Sequence, residues 1–271
     1  MQVSINDDFD LKKVALSGQC FRVREFENGM FRFISTDKIL YIRKTESHFY
    51  EVSCDSYTWK TFWTNYFDLD RCYSNIRSSI PTSDPYMITS ASEGNGIRIL
   101  RQDPWEMLIT FIISQRKTIP AIKQSVELLA SKYGTPITTE YETIHSFPDC
   151  DALAFATDAD LNECKLGYRT SYVKDAISLV YSNKINLSDL CSLSDFSLFE
   201  MLKIIKGVGD KVSNCVCLFA YGRTALAPID VWIKRTIDNQ YNGISPFPQY
   251  GENAGIMQQY IFYYNQIHKK M

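Results

Sequence analysis

Basic residues are not in excess in this sequence: its 271 residues carry 29 Lys or Arg against 31 Asp or Glu, a formal net charge of −2. Residues 1–97 hold 11 basic and 13 acidic side chains, and residues 98–271 hold 18 of each. Neither half offers a strongly basic face, so contact with nucleic acid would have to use a local patch and backbone amides, with few counterions released. Histidines number three, and the eight cysteines, at positions 20, 54, 72, 150, 164, 191, 215 and 217, include no Cys-x-x-Cys pair. That argues against a zinc site. Unpatterned cysteines in a chain of this length read as reduced core residues of a cytosolic protein. No apolar run approaches the roughly 18–20 residues that span a bilayer. Met1 to Asp10 is acidic rather than basic and then apolar, so no signal peptide is expected. Internal repeats and low-complexity linkers are also lacking. The expectation is a cytoplasmic monomer with no membrane partner, no metal and no organic cofactor.

What remains is an ordinary globular composition with a change of pattern along its length. In the first fifth, Phe21 and Val23 alternate with Arg22 and Arg24, and Phe31 and Phe33 flank Arg32, the period of half-buried strands. Asn28-Gly29 between them favours a tight hairpin turn. Ile39–Arg43 and Phe49–Ser53 read as further strands of an antiparallel sheet, with the aromatic stretch Tyr57–Phe67 packed against it. From about residue 69 the pattern is helical. Asp103-Pro104-Trp105-Glu106 supplies an N-cap, a proline at the first helical position and a capping-box glutamate for a buried helix. Pro120 opens the next helix, and Gly134 closes it with a residue that tolerates left-handed geometry. Further helices are expected at about 151–164, 170–182, 196–205, 210–221, 230–240 and 252–268. The fold class is therefore α+β, with an N-terminal β-rich lobe over 1–97 and a helical domain over 98–271.

The chemistry concentrates in Met201–Cys215. Gly207-Val208-Gly209, set between two amphipathic helices, makes a tight helix–hairpin–helix. Glycine permits positive φ and close backbone approach. The second helix presents free amides and the positive end of its dipole, an anion site suited to a DNA phosphate without any basic side chain. On Gly-x-Gly alone, an ordinary glycine C-cap followed by another helix is the simpler reading. Lys211 changes the balance. In the first turn of the following helix the macrodipole disfavours a cation, whereas a nucleophilic lysine benefits there, because only the neutral amine attacks. An exposed lysine tolerated at small cost is the alternative. Asp230, nineteen residues after Lys211, follows Pro228 and reads as the N-cap of the next helix. Proline would stiffen the approach and fix the direction of the carboxylate.

The run from Leu202 to Arg235 resembles the helix–hairpin–helix plus Gly/Pro-Asp signature of base-excision DNA glycosylases. The resemblance implies that Asp230 stabilises a sugar cation, and that Lys211 marks a bifunctional glycosylase and lyase. No four-cysteine cluster follows Cys217, which argues against the iron–sulfur branch. Three further segments resemble the 8-oxoguanine DNA glycosylase branch: Ser17-Gly18-Gln19-Cys20-Phe21-Arg22, Leu166-Gly167-Tyr168-Arg169 with Tyr172-Val173, and Lys211-Val-x-x-Cys215. The likeness extends from about residue 10 to 268.

It implies a base pocket in which the Gly18 carbonyl accepts the hydrogen that N7 carries in 8-oxoguanine and lacks in guanine. Leaving that acceptor unpaired costs about 1–3 kcal/mol. Cys215, one helical turn after Lys211, would line one side of the extruded base. Gln258 and Phe262, again one turn apart, would meet its Watson–Crick edge and its other face. Gly207, Val208 and Gly209 would hold DNA backbone, and Gln115, Arg116, Tyr168, Arg169 and Trp232 would complete the DNA contacts.

Two places depart from the better-known relatives. Arg116 stands where they fill the hole left by the flipped base, and Ala121 where an arginine reads the opposite cytosine. A strict preference for cytosine is therefore not expected. Trp232 stands where some relatives carry histidine, and Tyr168 would wedge the opposite strand. The expected partner is double-stranded DNA containing an oxidised purine, at the nucleoid of a bacterial cell. Two other functions compete with this reading. A monofunctional alkylated-base glycosylase would activate water and need no hairpin lysine. A non-catalytic helix–hairpin–helix DNA-binding protein would leave Lys211 and Asp230 without a joint purpose.

Overall fold

The computed structural model describes residues 1–268. The chain begins with β1 (Gln2–Ser4), α1 (Leu11–Leu16), β2 (Arg24–Glu25), β3 (Met30–Ser35), β4 (Lys38–Glu46) and β5 (Phe49–Val52). A helical stretch follows, α2 (Ser56–Thr58), a π turn over Trp59–Trp63 and α3 (Thr64–Tyr66), then α4 (Tyr73–Ser78) and α5 (Pro85–Glu93). Next come α6 (Pro104–Ser114), α7 (Ile119–Tyr133), the small hairpin β6 (Pro136–Thr138) and β7 (Thr143–His145), α8 (Cys150–Ala154), α9 (Asp158–Glu163) and α10 (Thr170–Tyr181). The chain ends with α11 (Asp195–Leu202), α12 (Asp210–Phe219), α13 (Val231–Gln240) and α14 (Ala254–Ile267). The α+β order expected from the sequence, antiparallel sheet first and helices after, is the one adopted.

Packing divides the chain into two compact units. One comprises Met1–Phe33, Leu40–Arg101 and the chain from Gly222 onward; the other comprises Ile34–Ile39 and Gln102–Tyr221. The segment from Gly222 to residue 268 packs with the N-terminal segments. The cause is local: α14 lies along α5, and the Tyr86 hydroxyl donates to Asn265 Oδ1 at 2.8 Å. Residues 269–271 of the expected second domain lie outside the described residues.

In the first unit the strands run in the order β1-β5-β4-β3-β2. The Asn28-Gly29 hairpin forms as expected, with Gly29 at φ +75 and the Met30 amide donating to Asn28 Oδ1 at 3.2 Å. The strand expected over Phe21–Arg24 shrinks to Arg24–Glu25, because only those residues pair with β3. β1, which no alternation in the sequence had marked, adds to the edge through Gln2↔Glu51 and Ser4↔Phe49. The aromatic stretch packs on the sheet: Phe67 meets Phe33 edge-on at 5.0 Å and Phe9 at 5.2 Å, and Trp63 is fully buried.

In the second unit, α6 is the axis. Asp103 caps it, accepting from the Glu106 amide at 2.8 Å, and every residue from Glu106 to Ser114 is buried. α7, α10 and α12 pack around it. α7 starts at Ile119, one residue before Pro120. The single helix expected over 151–164 is two, because Asp149 and Thr157 each cap a separate start, the latter through a reciprocal capping box with Asp160. Only some cysteines match the core expectation: 20, 164, 215 and 217 are buried, whereas Cys72 and Cys191 are exposed. No helix among the described residues is long and apolar enough to cross a membrane.

Gly134 ends α7 with φ −80 and ψ 161, not in the left-handed conformation. Its requirement is space: a Cβ there would lie 1.9 Å from the Ser146 carbonyl oxygen. Gly134→Ala should therefore cost about 1–3 kcal/mol from overpacking, despite an unexceptional φ. A denaturant midpoint unchanged from that of the parent protein would contradict this account.

Candidate active site

The hairpin of the second unit is built on one glycine. Gly207 has φ +80, and a Cβ on it would lie 2.3 Å from the Tyr172 ring. Val208 beside it is buried, its amide donating to the Ile205 carbonyl at 3.0 Å. Gly209 does not use the positive φ that glycine permits. It is the extended N-cap of α12, φ −99 and ψ −173, with open space where a Cβ would stand. Having no side chain, it leaves the start of α12 without a side-chain cap, so the first amides of that helix face outward as anion donors. Ser213, fully buried, fixes α12 to α11 by donating its hydroxyl to the Phe199 carbonyl at 2.7 Å.

Lys211 is half-buried in the first turn of α12. Its Nζ donates to Ser114 Oγ at 3.3 Å and stands 5.1 Å from the centroid of Phe111. Among the described residues no carboxylate pairs with it. The acidic neighbour Asp210 is engaged elsewhere, by Lys203 at 3.0 Å, and the hydrogen bonds that Lys203 donates to Asp210 and Glu200 hold it above the ordinary lysine range. Cys215 is buried one turn beyond Lys211.

Three segments far apart in sequence meet at the hairpin. Gln115 Nε2 donates to the Gly207 carbonyl and to the Ile112 carbonyl, each at 3.1 Å. The Gln115 carbonyl in turn accepts from Arg169, through Nε at 2.8 Å and through Nη2, and from the Tyr168 hydroxyl at 3.4 Å. Arg169 is thus buried and engaged with backbone carbonyls. Tyr168 remains half exposed, at 52%, with the Arg169 guanidinium over its ring at 4.4 Å. Arg116 is exposed, at φ +51.

The first unit holds the other sequence-marked residues. Asp230 is the N-cap of α13, its Oδ1 accepting from the Trp232 amide at 3.0 Å and the Ile233 amide at 2.8 Å. Oδ2 is left without a donor among the described residues, and Pro228, buried just before, stiffens the approach. Trp232 is half-buried, with Arg235 4.7 Å over its ring. Gly18 has φ +76, and the Phe262 ring lies so close that a Cβ would be 2.6 Å from it. Gln258, one turn before Phe262, is 4% exposed, yet its Oε1 has no hydrogen-bond partner among the described residues. A buried acceptor in that state is costly unless a ligand supplies a donor.

Several supporting residues carried no sequence signal of their own. Ser114 and Gln259 are ordinary types in ordinary helices, and only their tertiary neighbours mark them. Gln19 was visible inside its motif but without a role.

Residues 2–108 match the family described as 8-oxoguanine DNA glycosylase, N-terminal domain. The N-glycosylase/DNA lyase of Saccharomyces cerevisiae is 33% identical over 196 residues, covering 67% of this chain and 51% of the yeast protein. The chain thus spans about half the length of that curated relative. Among solved structures, the 8-oxoguanine glycosylase/lyase of Clostridium acetobutylicum, bound to double-stranded DNA with cytosine opposite 8-oxoguanine, is 32% identical. It has a TM-score of 0.90, with 99% of this chain and 98% of that one covered. MBOgg1, in complex with a low-affinity DNA ligand, is 36% identical with a TM-score of 0.93, covering 99% of this chain and 96% of that one.

The contrast between the two hairpin glycines is testable by thermal unfolding. Gly207→Ala should cost about 2–5 kcal/mol, from left-handed strain together with overlap on Tyr172, and Gly209→Ala no more than about 1 kcal/mol. Equal losses would contradict the geometry described.

Matched in its N-terminal domain and aligned almost end to end with two such structures at more than 30% identity, the chain belongs to the 8-oxoguanine DNA glycosylase family.

Proposed function

We propose that this protein is a bifunctional DNA glycosylase and lyase that extrudes 8-oxoguanine from duplex DNA and excises it through a Schiff base on Lys211. The observation that carries this reading is the environment of Lys211: a half-buried amine in the first turn of α12, beside an uncapped hairpin, with a hydroxyl and an aromatic face as neighbours. A lysine serving stability would have a carboxylate partner or a place near a helix C-terminus.

The amides at the start of α12 take a DNA phosphate, which the near-neutral charge of the chain requires. The damaged nucleotide leaves the stack, because its glycosidic carbon is inaccessible within it. Neutral Nζ of Lys211 attacks C1′, and the electrons of the C1′–N9 bond leave with the base. The free Oδ2 of Asp230 stabilises the positive charge that develops on the sugar. The amine adduct then opens to a protonated imine, and loss of a C2′ proton expels the 3′ phosphate.

In the base pocket, the Gly18 carbonyl accepts from N7–H, Gln258 meets the Watson–Crick edge, and Phe262 and Cys215 take the two faces. Arg116, exposed and with no partner among the described residues, fills the gap in the duplex; Gln115, whose amide is tied to Gly207, does not. Tyr168 wedges the opposite strand, Arg169 positions the Gln115–Arg116 turn, and Trp232 lies along the backbone. The protein acts as a monomer, at the nucleoid of a bacterial cell.

Borohydride trapping on an 8-oxoguanine duplex, with an undamaged duplex alongside, tests the reading. An adduct forming with the lesion duplex alone and mapping to Lys211 is expected. Lys211→Gln should keep duplex binding and give no adduct; normal turnover by that variant would exclude the mechanism. With Ala121 in place of a cytosine-reading arginine, a discrimination of roughly 1–3 kcal/mol is missing. Excision opposite cytosine and opposite adenine should therefore differ by less than about tenfold.

A further inference from the structure

Gly18 lies between two buried carboxamides that have no part in the chemistry described above. Gln259 is 2% exposed, and its Nε2 donates to the carbonyl oxygen of Ser17, itself fully buried. Gln19, also fully buried, donates through Nε2 to Ser17 Oγ and to the Arg98 carbonyl, each at 2.8 Å, and accepts from the Leu100 amide at 2.7 Å. Arg98 is immobilised in turn. Its guanidinium reaches Asp7 at 2.9 Å, the carbonyls of Asp8 and Asp68 at 2.7 Å and that of Arg71 at 3.1 Å.

Every one of these groups belongs to the first unit. Together they clamp the peptide planes on both sides of Gly18: Gln259 holds the Ser17 carbonyl before it, and the anchored Gln19 holds the residue after it. The clamp has a purpose only if the direction of the Gly18 carbonyl matters. A glycine at φ +76 has no Cβ to restrict it, so its carbonyl direction is set from outside. Phe262 closes one side of the same glycine.

We infer that Gln259 is a positioning residue for base discrimination: it aims the Gly18 carbonyl at N7 of the extruded purine, with Gln19 as the fixed second anchor. This rests on the base-pocket reading given above. Gln259 touches neither the base nor the sugar, so its loss should affect recognition of the lesion and spare the chemistry at Lys211. Release of the carbonyl by even a fraction of an ångström weakens a directional hydrogen bond. It also lets the carbonyl turn away from the lone pair of an undamaged guanine.

The test compares two reactions of the same preparation: excision from an 8-oxoguanine duplex, and strand incision at a preformed abasic site, which needs Lys211 and no base. Gln259→Met keeps the length of the side chain without the donor, and Gln259→Leu serves as a second variant should the first fold poorly. For either variant, the ratio of 8-oxoguanine excision to abasic incision should fall by about tenfold, the effect of one directed hydrogen bond. Binding of a guanine duplex relative to the lesion duplex should rise. A ratio unchanged from the parent protein, whether both activities fall together or neither does, would overturn the role and leave Gln259 a packing residue. A parent protein that incises the abasic duplex but leaves 8-oxoguanine in place would instead overturn the substrate assignment, and this role with it.

Discussion

At Gly207 two requirements coincide on one atom that is not there. The backbone turns through φ +80, and the ring of Tyr172 occupies the place of a side chain. Because the turn closes this tightly, α12 starts immediately after it, uncapped, with Lys211 in its first turn. The carbonyl of Gly207 then receives the Gln115 amide, whose own carbonyl receives Arg169. One left-handed glycine therefore holds together segments near residues 115, 170 and 207, and Lys211 sits on the helix that this assembly launches.

The charge balance and the hairpin are linked by the same physics. A chain of net charge −2 cannot rely on a field of lysines to hold a polyanion. Helix-start amides carry fixed partial charge, need no counterion and impose direction. The lysine in the hairpin pairs with no carboxylate among the described residues, only with the Ser114 hydroxyl and the Phe111 ring. Asp210, the one acid close to it in sequence, is drawn to Lys203 instead.

In the first unit, polar groups are buried in depth. Arg98 is fully buried and would be ruinous without partners. It has them in Asp7 and three backbone carbonyls, and the segment it fixes supports Gln19. Among the described residues, Gln258 Oε1 is a buried acceptor of this unit that has no hydrogen-bond partner.

The sequence by itself determined the elements whose causes are local. The Asn28-Gly29 turn, the Asp103 cap before Pro104, the Gly207 turn and the Asp230 cap all depend on residues within a few positions of one another, so short-range chemistry was enough to read them. What it left to tertiary structure was every contact spanning long stretches of chain. The edge strand β1 exists only because β5 pairs with it. The requirement at Gly134 comes from Ser146, and not from its own φ. The partner of Arg169 is the Gln115 carbonyl, 54 positions away. Gln259, beside the residue its motif marks, acquires meaning only from Ser17, 242 positions away. Burial and partnership at such separations are products of the folded chain, and no local pattern encodes them.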